Sequence, residues 1–471
     1  MMTNEYDEFS KEIFSILCDC DDLICREAGE VGARFSVIFI KGITSRDYIS
    51  ESILRPMMRL DIKRFDGDFS HYIESPLITP PKDAVSAASA IVCGEVLILA
   101  ETANGFYKTL TGAQHTHGRN IGEPESDVTV RGPKSGFVED AETNMALLRK
   151  YIRSPALKFK NYTIGSVSQT KVILAYVDGR TDKNLIERTK KQISNLKASV
   201  ITDSANLSML LHGRKSALLP SCGSTEKVDK AAAKLMSGRI ALIVDGSPFV
   251  LTLPYVFIEG LQSTDDYLHT PYYATFIRLL RLVAFISAIF SPAILCTFIN
   301  HYGNELPEGI YGVIVDSRSD IPLSFFWEIV VILLLFEILR EVGVRMPRTV
   351  GDAVGIVGSI ILGNTAVEAG IVSSIGVITV AFSAVCAFIT PAYMYVIVIS
   401  RLITLILSEI FGVSGLILSG ILFLMMLFLK NSFGVSYMTP LYPFDKNGMY
   451  DFIFCWPKKA LGRIENFYKK Q

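Results

Sequence analysis

From residue 282 onward the chain carries apolar stretches long enough to cross a bilayer, and this limits its fold more than any other feature. About 20 apolar residues span the hydrocarbon core as a helix. LVAFISAIFSPAILCTFI (282–299) meets this, with a kink expected at Pro292. FFWEIVVILLLFEIL (325–339) meets it if Pro322 begins the helix, and IGVITVAFSAVCAFITPAYMYVIVI (375–399) is long and interrupted by Pro391. LITLILSEIFGVSGLILSGILFLMMLFL (402–429) is longer still, with Glu409 and Gly412 inside it. A fifth stretch, VGIVGSIILGNTAVEAGIVS (354–373), is apolar but rich in glycine and polar atoms.

Lysines and arginines near the spans set an orientation. Arg278 and Arg281 precede the first span and Arg340, Arg345 and Arg348 end the second, whereas the loop between them is net acidic. The tail after Phe428 holds Lys430, Lys446, Lys458, Lys459, Arg463, Lys469 and Lys470. Both ends of the membrane part therefore lie on the cytosolic side, which requires an even number of crossings. We expect spans at about 282–301, 322–340, 375–399 and 405–429 within a domain of residues 273–430, followed by a basic cytosolic tail, 431–471. The segment 351–373 is then re-entrant or broken. Irregular backbone at that depth survives only where protein or a water-filled cavity covers it.

Residues 1–270 read as an ordinary soluble sequence of the α/β class, in two subdomains after an N-terminal segment, 1–29. In the first, 30–139, FSVIFIKG is a strand, SRDYISESILRPMM a helix, and IVCGEVLILAETANGFYKTL a hairpin turning at Asn104-Gly105. In the second, 140–268, ETNMALLRKYIR and DKNLIERTKKQISNL have helical periodicity, KFKNYTIGS and KVILAYVD are strands, and GRIALIVDGSPFVLTLP is a hairpin at Asp245-Gly246. The acidic N-terminus, MMTNEYDEFSKEIFSIL, argues against a secretory signal peptide. CDCDDLIC gathers three of the eight cysteines with no second ligand pair at metal spacing, so reduced thiols are expected.

Four charges close the second span in EILREVGVRMP (337–347). Glu341 and Arg345 stand four apart with the acid first, the favoured order of a helical ion pair, and Glu337 and Arg340 stand three apart. Arg340, Glu341 and Arg345 fit the headgroup zone or a cytosolic-side latch. Glu337 lies deeper, and Glu368, in GNTAVEAG, deeper still. A bare charge at the bilayer centre costs at least ~3 kcal/mol, so such acids face a cavity or a partner. For Glu368 the alternatives are a permeation path or a pair with an arginine such as Arg401. Asn364 and Thr365 offer polar atoms beside it, as an ion path requires. Gly351, Gly355, Gly358, Gly363 and Gly370 allow close backbone approach, for packing or for a path.

Other chemistries find no support. The net charge of -1 leaves no electrostatic footprint for nucleic acid. There is no GxxxxGK, no dinucleotide fingerprint and no GxSxG elbow. His115 and His117 stand without a nearby third ligand, and Asp245 sits at a hairpin turn. No nucleophile, base and oxyanion donors assemble, so neither an enzymatic activity nor a cofactor is expected.

Several phrases, in order, resemble the A subunits of GerA-type spore germinant receptors. They are EPESDVTVRGPKSGFVED, TEKVD (225–229), GRIALIVDGSP (238–248), DDYL (265–268) with Arg278 and Arg281, EILREVGVRMP, GIVGSIILGNTAVEAGIVS and NSFGVSYMTP (431–440). They cover most of the chain from about residue 30. The chain departs from the family pattern at Lys227 and Val228 (usually Arg-Pro), at Asn364 (usually Gln) and at Ser436 before Tyr437 (usually Pro-Tyr). The resemblance implies a multi-pass protein of the spore inner membrane. It further implies a transporter-like, nutrient-binding B subunit and a lipoprotein C subunit as partners, and homo-oligomers that conduct ions when nutrient binds. Glu337, Asn364, Thr365 and Glu368 are then candidates for the path or gate. A SpoVAF-type paralogue belongs to the same family. A secondary transporter would need a second broken segment mirroring the first, which we do not find, and a passive scaffold would tolerate neutralisation of its intramembrane acids.

Overall fold

The computed structural model describes the chain except residues 1–4, 31–32, 60–64, 66, 76, 103–104, 114–121, 125–131, 213–217, 268, 303–307, 320, 346–362, 445, 450, 453 and 455–471. His115, His117, most of 351–373 and the basic end of the tail lie outside the described residues. The described residues divide into two compact units: those of 1–255 with 431–435, and those of 256–430 with 436–454.

The first unit holds two five-stranded sheets, and every ladder among the described strands is antiparallel. One sheet runs β1 (Leu23–Glu30), β2 (Ala33–Ile40), β4 (Glu95–Thr102), β5 (Gly105–Gly112), β3 (Ile78–Thr79) across its width. Its side chains alternate in facing, as a pleat dictates. Ile38, Ile40, Leu97 and Leu99 pack under α1 (Glu5–Ile16) and α2 (Ala84–Val92). Phe35, Val37, Phe39 and Ile98 pack against Ile49, Ile53 and Met57 on the helical stretch 46–59. Both faces are covered, which explains why VLILA carries no polar alternation. β4 and β5 pair with Thr102 directly opposite Gly105, so Gly105 opens β5, and Asn104 of the expected Asn104-Gly105 turn lies outside the described residues.

Residues 1–29 are no separate segment: α1 and β1 belong to this sheet. LICREAGE has too few apolar residues to read as a strand alone, but it is an edge strand, paired only to β2 among the described strands.

The other sheet runs β6 (Leu157–Ile164), β7 (Thr170–Val177), β9 (Ile240–Val244), β10 (Val250–Leu253), β8 (Gly223–Thr225). Phe159, Ile173, Ala175 and Ile243 pack on α3 (Ala141–Tyr151) and α6 (Val228–Met236). Leu174, Tyr176, Leu242 and Leu251 pack on α4 (Lys183–Ser194) and α5 (Ser204–His212). Phe433, in left-handed backbone at φ 52°, joins this second core. Residues 431–435 thus return to the first unit instead of opening a tail. Ser432 Oγ fastens them, donating to the Ser221 carbonyl at 2.7 Å and accepting from the Tyr255 N–H at 3.1 Å.

A buried ion pair joins the two sheets: Arg149 donates twice to Asp22, at 2.6 and 2.9 Å. Beside it the Asp21 N–H donates to the Phe159 carbonyl and Asp21 Oδ2 accepts from Asn161 N–H. Breaking one partner of such a pair costs about 3–5 kcal/mol.

The second unit is helical: α7 (Pro271–His301), α8 (Glu308–Asp316), α9 (Phe325–Arg345), α10 (Ser374–Phe388), α11 (Met394–Phe411) and α12 (Val413–Leu429). Among the described residues two helices, Pro271–His301 and Pro391–Phe411, are long and apolar enough to cross a bilayer, and α10 and α12 are shorter apolar helices. The expected spans 375–399 and 405–429 are divided differently. The first ends at Phe388, because Pro391 cannot continue the helix and starts a new one. The second breaks at Gly412, whose φ of 59° and ψ of -135° suit only glycine. The core of this unit is Ala293, Cys296, Phe325, Ile329, Leu333, Val380 and Leu405.

Candidate functional site

The site grows from a proline. Pro292 lies inside α7 and has no N–H, so the carbonyl of Ala288, one turn back, receives no helical hydrogen bond. Ser383 Oγ of α10 donates to that carbonyl at 2.8 Å. Arg401 of α11, 2% exposed, donates NH1 to the same Ser383 oxygen at 3.0 Å and NH2 to Glu337 Oε1 of α9 at 3.0 Å. The other Glu337 oxygen faces Arg340 NH2 at 2.5 Å, one turn on. One buried chain of polar atoms therefore links four helices: α7, α10, α11 and α9. Two guanidinium groups share one carboxylate, so the cluster carries a surplus positive charge.

This answers where the charges of EILREVGVRMP go, and it divides the expected latch. α9 runs on unbroken to Arg345. Arg340 turns inward to Glu337. Glu341 and Arg345 form a separate, exposed i,i+4 pair at 2.7 Å, worth a few tenths of a kcal/mol. Glu337 also takes the arginine that Glu368 was one candidate to pair with.

Asn364, Thr365 and Glu368 share a short helix, 363–368, and all three side chains are exposed. Among the described residues no side-chain hydrogen bond or ion pair joins them to Glu337 or to one another. The helix ends at Gly370, in left-handed backbone at φ 63°, and the Ile371 N–H folds back onto the Ala366 carbonyl at 3.0 Å.

Two further acids on the apolar helices are partnered. Glu328, in the first turn of α9, is wholly buried: its Oε1 accepts from Ser373 N–H at 2.7 Å and from Ser373 Oγ, and its Oε2 lies 3.4 Å from Arg318 Nε. Glu409 Oε2 accepts from Asn300 Nδ2 at 2.9 Å and lies 3.5 Å from Cys296 Sγ. Glu328 escapes a sequence reading because it sits in WEIVVILLLF, whose length draws the eye. The available signal is a lone acid in a helix's first turn. Its serine partner lies 45 residues away.

Within each unit, some of the phrases that carry the family resemblance meet. Asp266 of DDYL accepts from Arg278 Nε at 3.0 Å and from Arg281 NH1 at 2.8 Å, so both arginines at the first span's start are matched by acid. Tyr267 donates to Asp451 at 2.7 Å; burial and this carboxylate raise its phenol, which stays protonated. In the first unit Gly136 bridges Lys227, the Phe137 N–H donates to the Glu226 carbonyl at 2.7 Å, and the Gly246 N–H donates to the Glu139 carbonyl at 2.8 Å. Asp245 Oδ1 accepts from the Ala141 N–H at 3.1 Å, at the start of α3. The carboxylate therefore serves a hairpin and a helix end.

Three comparisons bear on this arrangement. The sequence matches the family described as Bacillus/Clostridium GerA spore germination protein over residues 11–465. It is 34% identical to spore germination protein KA of Bacillus subtilis (strain 168) over 461 residues, covering 96% of this chain and 83% of that protein. It is 30% identical to the uncharacterized membrane protein YfkQ of the same strain, covering 96% and 89%. The crystal structure of the N-terminal domain of the A subunit of the Bacillus megaterium spore germinant receptor GerK3 aligns with a TM-score of 0.40 and 22% identity, over 54% of this chain and 97% of that one. On the extent of the family match, the chain belongs to the Bacillus/Clostridium GerA spore germination protein family.

Proposed function

We propose that the chain is the A subunit of a nutrient germinant receptor of the spore inner membrane, working in spore germination with a transporter-like B subunit and a lipoprotein C subunit. Its helical unit spans the membrane, with the α/β region and the tail on the cytoplasmic side, and oligomerises around a gated cation path. Family membership supports the role in germination. The path reading is carried by a contrast among the acids. Glu328, Glu337 and Glu409 each have partners, whereas Glu368 is exposed and has no ion-pair partner among the described residues. An ionised carboxylate open to hydrocarbon is unaffordable at several kcal/mol, so Glu368 faces water or a neighbouring subunit. Asn364 and Thr365 are exposed on the same short helix and supply neutral oxygens beside it. Glu337 has another part in this reading. With two arginines around it, the surplus positive charge repels a cation, and the cluster anchors the helices on which a gate turns.

The test is Glu368→Gln in the full chain, in spores that also carry the two partner subunits, with potassium release followed after a mixture of amino acids, sugars and nucleosides. Release is expected to slow about tenfold or more, since a carboxylate in low dielectric favours a passing cation by more than the ~1.4 kcal/mol that a factor of ten requires. Wild-type release at wild-type protein levels would remove Glu368 from the path and favour a scaffold.

A further inference from the structure

We infer that Glu328 is a positioning residue: its buried carboxylate clasps the start of α10 to α9 and so fixes where the 363–373 segment, with Asn364 and Glu368, stands. Its consequence for ion flow rests on the path reading above; the clasp itself does not.

The geometry is specific to this junction. Ser373 is the N-cap of α10, its Oγ accepting from the Gly376 N–H at 3.0 Å while donating to Glu328 Oε1. The same carboxylate oxygen takes the Ser373 N–H, so one acid holds both donors of a single residue. It lies at the positive end of a helix, where an anion is favoured. The approach depends on glycine: a Cβ at Gly376 would stand 2.2 Å from Glu328 Oε1, an overlap no side chain makes. On the other side Arg318 balances the charge and is itself held, donating NH2 to the Leu323 carbonyl at 3.2 Å and lying over the Phe325 ring at 5.0 Å.

An apolar side chain would fill this place at lower desolvation cost, because Arg318 is near enough for attraction but makes no aligned hydrogen bond. What the acid adds is a fixed point. Between Glu368 and Ser373 the chain has little freedom: Gly370 closes the short helix, and the Ile371 and Val372 N–H groups both reach back to the Ala366 carbonyl. Val372 is itself buried. A shift at Ser373 is therefore passed along this folded-back turn to Glu368.

The test uses the full chain in membranes with Val372→Cys as reporter, labelled by a maleimide and quantified peptide by peptide. Cys386, buried near the far end of α10, serves as the internal control. Adding Glu328→Gln is expected to speed labelling at position 372 about tenfold or more, with Cys386 unchanged, since a lost hydrogen bond to an ionised group shifts a local opening equilibrium by that order. If Glu328→Gln does not accumulate, Ser373→Ala removes one hydroxyl and leaves the carboxylate and its arginine, and is expected to act in the same direction. Labelling at 372 within twofold of the parent in both variants would overturn the clasp. So would an equal rise at both thiols, which reports general loosening. Potassium loss from spores in nutrient-free buffer separates the two readings: faster labelling with altered potassium loss supports both, while faster labelling with unaltered loss leaves the clasp standing and removes the path.

Discussion

Neutralising Glu337 should damage the protein far more than removing Arg401, although each change deletes one charge from the same cluster. At an effective dielectric of about 20, each contact between Glu337 and an arginine is worth roughly 4 kcal/mol of attraction at a charge separation of ~4 Å. The two guanidinium groups occupy opposite oxygens of the carboxylate, which separates them by roughly 6–7 Å and sets about 2.5 kcal/mol of repulsion between them. Arg401→Met loses one attraction but also that repulsion and the burial of a guanidinium, and gives up the bond to Ser383, worth about 1 kcal/mol. The net cost is about 0–2 kcal/mol. Glu337→Gln loses both attractions and keeps the repulsion, with Arg401 almost wholly buried and unable to reach water. Its cost is about 3–5 kcal/mol, as for other buried charges left unpaired. The double variant Glu337→Gln/Arg401→Met should recover about 2 kcal/mol or more of that loss, because the remaining Arg340 is partly exposed and can turn outward. Thermal midpoints of the four detergent-solubilised chains, read by size-exclusion chromatography after heating, give the order. If Glu337→Gln proves no less stable than Arg401→Met, or the double variant is the least stable of all, the account of a shared carboxylate fails.

Two further predictions concern the first unit. Burial pushes the Asp140 and Glu142 carboxyls up, but hydrogen bonds from Thr143 outweigh it for Asp140, as do Lys41 and Lys171 for Glu142, so both lie below their usual range. A lowered folded-state value stabilises above the unfolded value and is lost as pH falls through it, so circular dichroism should show a falling unfolding temperature between about pH 5 and pH 3, with a shallower slope in Glu142→Gln. Asp245→Ala should cost about 1 kcal/mol through the lost bond to Ala141 N–H and leave spore germination at its parental rate, whereas abolished germination in a stable variant would restore a chemical role to this carboxylate.

What could be read in the sequence was what short-range chemistry decides. The pairing of β4 with β5 and the hairpin at Asp245-Gly246 follow from turn-forming residues set between apolar strands. The break at Pro391 follows from a missing N–H. The edge strand β1 was hidden because LICREAGE has only partial apolar alternation, and its pairing to β2 is a tertiary matter. Phe433 was hidden because its burial depends on a sheet built nearly two hundred residues earlier. Of the site, the sequence shows that Glu337 and Glu368 need an explanation, but not which of them finds an arginine. Spacing pairs Glu337 with Arg340 on one helix, whereas Arg401 lies 64 residues away and reaches it only once the helices pack.

That distance bears on why charges persist in apolar helices at all. Leucine- and isoleucine-rich surfaces pack in many registers at similar energy, because dispersion is non-directional and, in lipid, burial of apolar area no longer favours one arrangement. A buried arginine that must meet two partners does discriminate. Arg401 is satisfied only where Ser383 and Glu337 arrive together, and Ser383 arrives only where Pro292 has left the Ala288 carbonyl open. Sliding α11 by one turn would strand the buried Arg401 guanidinium, a cost of several kcal/mol that no apolar contact could offset. The cluster therefore selects one register of four helices more than it strengthens the packing. Glu328 does the same for the start of α10. Glu368, exposed on the 363–368 helix, belongs to neither cluster among the described residues.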